Sequence, residues 1–272
     1  MIVYPNAKIN LGLHVTQKRA DGYHELQTFF YPIGYSDILE IIESKQSQAP
    51  IVFHCSGIPI PGNWEENVCY RAWKMLAQEF ELPAVEMHLH KLLPNGAGLG
   101  GGSSDAAFTL RLLNDLFQCH LNAEKLEHMA AQIGSDCAFF IRNTPSFAYG
   151  RGEVLQPSSI SLKGYYLVLI TPRIQVSTAE AYSGIRPQKP AMDLESILTR
   201  DISEWKEILV NDFEKHIFSK YPAIENLKHE MYRQGALYAS MSGSGSSVYG
   251  IFKSNPSFEY QGNGFCWMGD LQ

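Results

Sequence analysis

An α+β fold is predicted for this chain of 272 residues by three observations. Apolar residues alternate with a period of two through several stretches of the opening third, which reads as strands. Helical spacing gathers later instead of alternating regularly with those strands. No segment repeats at a fixed period and no low-complexity linker interrupts the chain. Hydrophobic residues make up 45% of it, enough to fill one large domain or two modest ones. A soft boundary falls near residues 150–165, giving domains 1–155 and 156–272.

The elements follow in order. Ile9, Leu11, Leu13 and Val15 alternate with Lys8, Asn10, Gly12 and His14, the pattern of a half-buried strand. Asp21-Gly22 marks a turn, and "LQTFFYPIG" reads as the next strand. "DILEII" and "PIVFHC" extend the strand-rich opening. A helix over "NVCYRAWKMLAQEF" sets Val68, Ala72, Leu76 and Phe80 on one face, with Asn67 at its start. In the strand "AVEMHLHK", His88 and His90 share the polar face and read as surface residues, not metal ligands.

A glycine-rich stretch comes next, then a helix "SSDAAFTLRLLNDLF" that serine and aspartate would cap. A second helix runs from Asn122 to the stop at Gly134. "AYGRGEV" reads as a hairpin and "YYLVLITP" as a buried strand. "DLESIL", "EWKEILVNDFEKHIF" and "AIENLKHEMYRQ" read as three helices. Two strands, "ALYAS" and "SVYGIF", flank a glycine-serine loop.

Charge excludes some functions. A net charge of −6 with only 22 Lys+Arg disfavours a nucleic-acid partner, while a small phosphorylated ligand needs only a few lysines and aligned N–H groups. The five cysteines are scattered, without a CxxC pair or zinc-ligand spacing, as in a reduced cytoplasmic protein. "MIVYPNAKINLGLHV" has no basic segment followed by an apolar run, and no membrane-spanning stretch is visible. A cytoplasmic chain with no membrane partner is expected.

The stretch "KLLPNGAGLGGGSSDA" holds Gly96, Gly98, Gly100, Gly101 and Gly102 between a strand and a helix. So much glycine is entropically costly, and it suits backbone amides that close on phosphate oxygens at a helix N-terminus. Ser103 and Ser104 stand where hydroxyls would meet a phosphate or a bound Mg²⁺. "GAGLGG" satisfies GxGxxG, but a helix follows where the dinucleotide fold needs a second strand. "GGGSSD" has no Walker A lysine, and the HRD and DFG motifs of protein kinases are absent.

"LPNGAGLGGGSSDAA" resembles the second motif of the GHMP kinases, P-x-G-x-G-L-G-S/G-S-S. "PNAKINLGL" resembles the first and "MSGSGSSVYGIF" the third, in the family's order, from Pro5 to Phe252. The resemblance implies a two-domain α+β fold with the active site in the cleft between the domains. It also implies ATP and Mg²⁺ as cofactors, with no carboxylate cluster that names the metal's ligands. "RADGYHEL" resembles the branch that phosphorylates an alcohol carrying cytidine diphosphate, in non-mevalonate isoprenoid synthesis. Another small-molecule kinase of mevalonate or homoserine type, or a nucleotide-binding sensor without turnover, are the competing readings. Asp105 stands where some relatives have asparagine.

The roles are carried over residue by residue. Asp136, in "IGSDCAFF", is the implied base for the acceptor hydroxyl, and otherwise reads as a helix cap. Lys8 is the implied electrostatic stabiliser of the transferred phosphoryl group, and otherwise a solvated strand lysine. Pro94, Asn95, Gly96, Ala97, Gly98, Leu99, Gly100, Gly101, Gly102, Ser103 and Ser104 would cradle the triphosphate. Lys91 and Asn67 reach toward adenine, Asn67 reading equally as a helix cap. Tyr23 and His24 are matched to cytosine recognition and Asn10 to a substrate contact. Thr178 and Tyr182 either close the cytosine site or serve as a helix cap and a packed ring.

Overall fold

The computed structural model describes residues 1–45 and 49–272. Strands β1 (Ile2–Val3), β2 (Asn6–Lys18), β3 (His24–Ser36), β4 (Ile38–Glu43) and β5 (Ile51–Gly57) come first. Helix α1 (Val68–Glu79), strand β6 (Val85–Lys91) and helices α2 (Gly101–Leu116), α3 (Ala123–Ile133) and α4 (Phe139–Arg142) follow. Next are β7 (Ser146–Gly150), β8 (Val154–Pro157) and β9 (Tyr166–Thr171), then the helices α5 (Thr178–Ser183) and α6 (Leu194–Leu198). Helices α7 (Trp205–Ile208), α8 (Glu214–Lys220) and α9 (Pro222–Arg233) lead to strands β10 (Tyr238–Met241), β11 (Val248–Phe252) and β12 (Phe265–Asp270).

One compact unit comprises Met1–Ala7, Tyr35–Asn95 and Gly100–Asn143. Its sheet has the order β1-β4-β6-β5, with β5 parallel to β6 and the other pairs antiparallel. Leu39, Ile41, Val85, Met87 and Leu89 are buried on one side of that sheet, and α2 packs on β4. Helix α1 lies against α2, burying Cys69, Ala72, Trp73 and Leu76. The other side of the sheet carries Glu40, His88 and His54 in one row, with the two imidazole rings stacked at 4.7 Å.

The second unit comprises Lys8–Gly34, Gly96–Leu99 and Thr144–Gln272. It holds two sheets, ordered β2-β3-β7-β8 and β10-β11-β9-β12. Helix α9 packs on β10 and β11, and Val168, Ile170, Ile217, Met231, Met241 and Val248 share its core. The two units are interleaved along the chain, so a single boundary at residue 155 does not describe them. Strands β2 and β3 pair into the same sheet as β7 and β8, which draws the N-terminal residues into the later unit.

Three local expectations are corrected. Residues 7–15 form a strand buried on both sides, with Lys8 only 3% and Asn10 only 2% exposed, because their polar groups find partners inside the fold. "EWKEILVNDFEKHIF" is two short helices, α7 and α8, separated by an extended segment. There Leu13 N–H donates to Val210 O, Asp212 N–H donates to Leu13 O, and Asn211 Oδ1 accepts from Phe213 N–H. Pairing with β2 thus overrides the helical spacing. Helix α2 begins at Gly101 with Gly100 in left-handed conformation as its cap, and no side chain caps it. Ser103, Ser104 and Asp105 lie inside its first turns instead. Strand β12, which pairs antiparallel with β9, carries no clear alternation of its own in the sequence.

Candidate active site

The second unit holds the middle of the glycine stretch. Gly98 has φ +78°, and a Cβ there would lie 1.9 Å from Ser242 O. Only a glycine lets the two backbones approach so closely. Ser242 Oγ donates to Gly98 O at 2.9 Å, and Ser247 N–H donates to Ala97 O at 3.2 Å. The glycine-serine loop "SMSGSGSS" therefore supports the first glycine loop directly. Asn211 holds that support from behind, its Nδ2 donating to Met241 O and Gly243 O.

Lys8 is built into the same constellation. Its Nζ donates to Asn10 Oδ1 at 2.6 Å and to Gly98 O at 3.2 Å, and sits 4.9 Å from the centre of the Phe30 ring. Asn10 is fixed in turn, because its Nδ2 donates to Thr28 Oγ1 and its carbonyl accepts from Tyr249 OH. A buried ammonium with two oriented acceptors is a preorganised charge, not a solvated strand lysine.

The same unit carries the aromatic residues. Tyr23 is 56% exposed, with the Arg151 guanidinium 5.0 Å over its ring. His24 and Tyr182 stack at 4.8 Å, and Tyr182 meets Phe213 edge to face. Thr178 is exposed and opens α5, but Ser177 is the cap, accepting from Glu180 N–H. The helix-cap alternative for Thr178 is thereby removed.

The first unit holds both ends of the glycine stretch. With no side-chain cap, the leading N–H groups of α2 are left to other acceptors at the helix's positive end, where negative charge is favoured. Ser103 in that first turn bonds the Cys137 thiol, which burial pushes up to about 11. Asp136 is the neighbour of Cys137, half-buried on the turn between α3 and α4. It is not a helix cap, since α4 starts from Ala138. Ser104 is fully buried and its Oγ has no partner among the described residues, so it does not present a hydroxyl to the surface as expected.

Asn67 caps α1, its Oδ1 accepting from Cys69 N–H at 2.8 Å. It also lines a cleft of about 440 Å³ with Phe53, Ile58, Ile60, Asn63 and Trp64. Asn95 Nδ2 donates to Pro59 O, which ties the start of the glycine stretch to that cleft's wall. Lys91 is corrected. Its side chain is 1% exposed and its Nζ bonds Asp37 and Asp105, so it turns into the core rather than toward a ligand. Sequence reasoning missed Asp37 and Asn211, because nothing in their local pattern signals a partner far along the chain.

The chain is similar to known proteins over its whole length. The family model described as the N-terminal domain of GHMP kinases matches residues 67–150, and the model for the GHMP kinase C-terminal region matches 193–259. A relative from Bacteroides thetaiotaomicron named 4-diphosphocytidyl-2-C-methyl-D-erythritol kinase is 51% identical over 100% of both chains. One of the same name from Parabacteroides distasonis is 49% identical, again over 100% of both. A crystal structure of a 4-(cytidine 5'-diphospho)-2C-methyl-D-erythritol kinase superposes with TM-score 0.81 at 30% identity, covering 100% of this chain and 99% of that one. A mevalonate kinase structure at TM-score 0.71 is only 11% identical and shares the fold.

Proposed function

Because the chain belongs to the GHMP kinases, we propose that it transfers the γ-phosphoryl group of ATP to a hydroxyl of 4-diphosphocytidyl-2-C-methyl-D-erythritol. It is an ATP-dependent small-molecule kinase. The observation that carries the reading is the uncapped N-terminus of α2, with Ser103 bonded to the residue beside Asp136. Such a helix start binds polyphosphate, and a carboxylate on the adjoining turn is suited to take a proton from an alcohol. The relatives' names and the exposed Tyr23 beside His24 support the cytidine-bearing acceptor.

The roles divide as follows. Backbone N–H groups of the glycine stretch and of α2 hold the phosphates, and the cleft beside Asn67 and Trp64 takes adenine. Asp136 accepts the proton of the acceptor hydroxyl as the bond to phosphorus forms. Lys8, held by Asn10 and Gly98 O, offsets charge on the transferring phosphoryl group. Tyr23 offers an aromatic face to the cytosine, and His24 a donor or acceptor to its edge. Mg²⁺ accompanying the nucleotide would supply charge neutralisation for its phosphates. Fitting a base between His24 and Tyr182 requires those rings to part by about 2 Å, since stacked planes lie roughly 3.5 Å apart.

The test is product identification. Purified protein is incubated with Mg-ATP and, separately, CDP-methylerythritol, mevalonate and homoserine, and products are followed by ³¹P NMR and mass spectrometry. A new phosphomonoester on CDP-methylerythritol alone is expected. Phosphorylation of mevalonate or homoserine instead would discard the acceptor assignment and keep the kinase.

A further inference from the structure

Beneath the start of α2 lies a buried cluster of two carboxylates around one ammonium. Lys91 Nζ bonds Asp37 Oδ2 and, at 2.7 Å, Asp105 Oδ2, with all three side chains at most 1% exposed. The ammonium lies 3.5 Å from where a Cβ of Gly101, the first residue of α2, would stand. Asp37 Oδ1 also accepts the N–H groups of Leu92 and Leu93, which lead from β6 into the glycine stretch. Asp105 is served less well, since its Oδ1 has no partner among the described residues.

Charge balance makes this set unusual. One ammonium neutralises one carboxylate, so with both aspartates ionised the cluster carries a net negative charge inside the protein. Two carboxylates that share a site do not both ionise easily. Asp37 accepts three donors, whereas Asp105 accepts one. Asp105 is therefore the member that takes up a proton.

We propose that Asp105 is a positioning residue whose proton sets the affinity of the α2 N-terminus for polyphosphate. With Asp105 protonated, the cluster is neutral and the helix start keeps its full attraction for an anion. With Asp105 ionised, a negative charge stands in the second turn of the same helix and opposes the phosphates. The inference rests on reading the α2 N-terminus as the phosphate site. Burial, with Asp37 adding to it, raises the Asp105 carboxyl to about 7, so both forms occur near neutral pH. The other titratable groups facing the cluster stay neutral there. Burial pushes up the Cys69 thiol on α1, the Cys55 thiol on β5 and the Tyr35 hydroxyl.

Stability follows the same proton. A folded carboxyl raised above its unfolded value keeps a proton that the unfolded chain releases. Stability from this group therefore falls as pH rises from the ordinary carboxylate range to about 7, and is level above that.

Asp105→Asn keeps the shape of the protonated form and removes the titration. Calorimetry with a non-hydrolysable ATP analogue and Mg²⁺, at about pH 6 and about pH 8, compares it with the wild type. Wild-type affinity should weaken about threefold to tenfold across that interval, and D105N should show no such change. A ¹³C-aspartate NMR titration should show a carboxyl with its midpoint near neutrality in the wild type and none in D105N. D105N should also raise Tm relative to wild type more at about pH 8 than at about pH 5. Asp37→Asn is the second variant, and it should flatten the pH dependence too, by leaving Asp105 alone with Lys91. A pH dependence equal in wild type and D105N, or no such carboxyl in the NMR titration, overturns the proposal alone. No nucleotide binding at either pH overturns the phosphate reading as well.

Discussion

Gly98→Ala tests the contact between the two glycine loops. The new Cβ would lie 1.9 Å from Ser242 O and 2.9 Å from Ser242 C, with φ at +78°. Real Cβ contacts begin near 3.0 Å, so one backbone must retreat by about 1 Å. The left-handed conformation costs about 1–2 kcal/mol for a residue with a Cβ, and overpacking adds roughly 1–3 kcal/mol. Displacement also breaks the bonds that Gly98 O accepts from Lys8 Nζ and Ser242 Oγ. Loss of alignment by about 1 Å lowers turnover on the order of 100-fold. Gly96→Ala is the matched control, because Gly96 has φ +64° but nothing within 4 Å of its Cβ position. It should lose only the conformational part, about 1–2 kcal/mol. The measurements are urea unfolding and kcat with ATP for both variants. Equal losses in the two would refute the close-approach argument, leaving backbone strain as the whole effect.

Lys91→Met removes the only cation bonded to Asp37 and Asp105 among the described residues, and should cost about 3–5 kcal/mol in urea unfolding at pH 8. A loss below about 1 kcal/mol would contradict the buried cluster. Asn211→Ala forfeits the bonds to Met241 O, Gly243 O and Phe213 N–H, and should destabilise by roughly 2–4 kcal/mol with a raised KM for ATP. Unchanged Tm and KM would remove it as the support of the glycine-serine loop. Iodoacetamide at pH 8 should label the exposed Cys55 and Cys266 well before the buried Cys69 and Cys137, by peptide mass spectrometry. Early labelling of Cys137 would contradict its burial against Ser103.

The strands of the first unit were legible because period-two alternation matches a sheet with one buried side, as in β6. Strand β2 had the same pattern but is buried on both sides. Alternation records polarity, whereas Lys8 also bonds Gly98, 90 positions away, and Asn10 bonds Thr28 and Tyr249, 18 and 239 positions away. The break between α7 and α8 was hidden for a related reason. Helical spacing is local, whereas the bonds that pull Val210 to Asp212 out of the helix are made by Leu13. The glycine stretch was legible as a special backbone segment between a strand and a helix, since Gly96, Gly98 and Gly100 all take left-handed φ. That Gly100 and not a serine caps α2 depends on a left-handed φ that several of those glycines could have supplied. Lys91 looked like a ligand residue because its aspartate partners lie 54 and 14 positions away.

The measurement that bears most directly on the account is transfer of label from [γ-³²P]ATP to CDP-methylerythritol, by the wild type and by Asp136→Asn. The account predicts label on that acceptor from the wild type. It predicts a loss of about 10²- to 10⁴-fold in kcat for the variant, with binding of a non-hydrolysable ATP analogue little changed. Transfer by Asp136→Asn at the wild-type rate, or no transfer to this acceptor by the wild type, would contradict it.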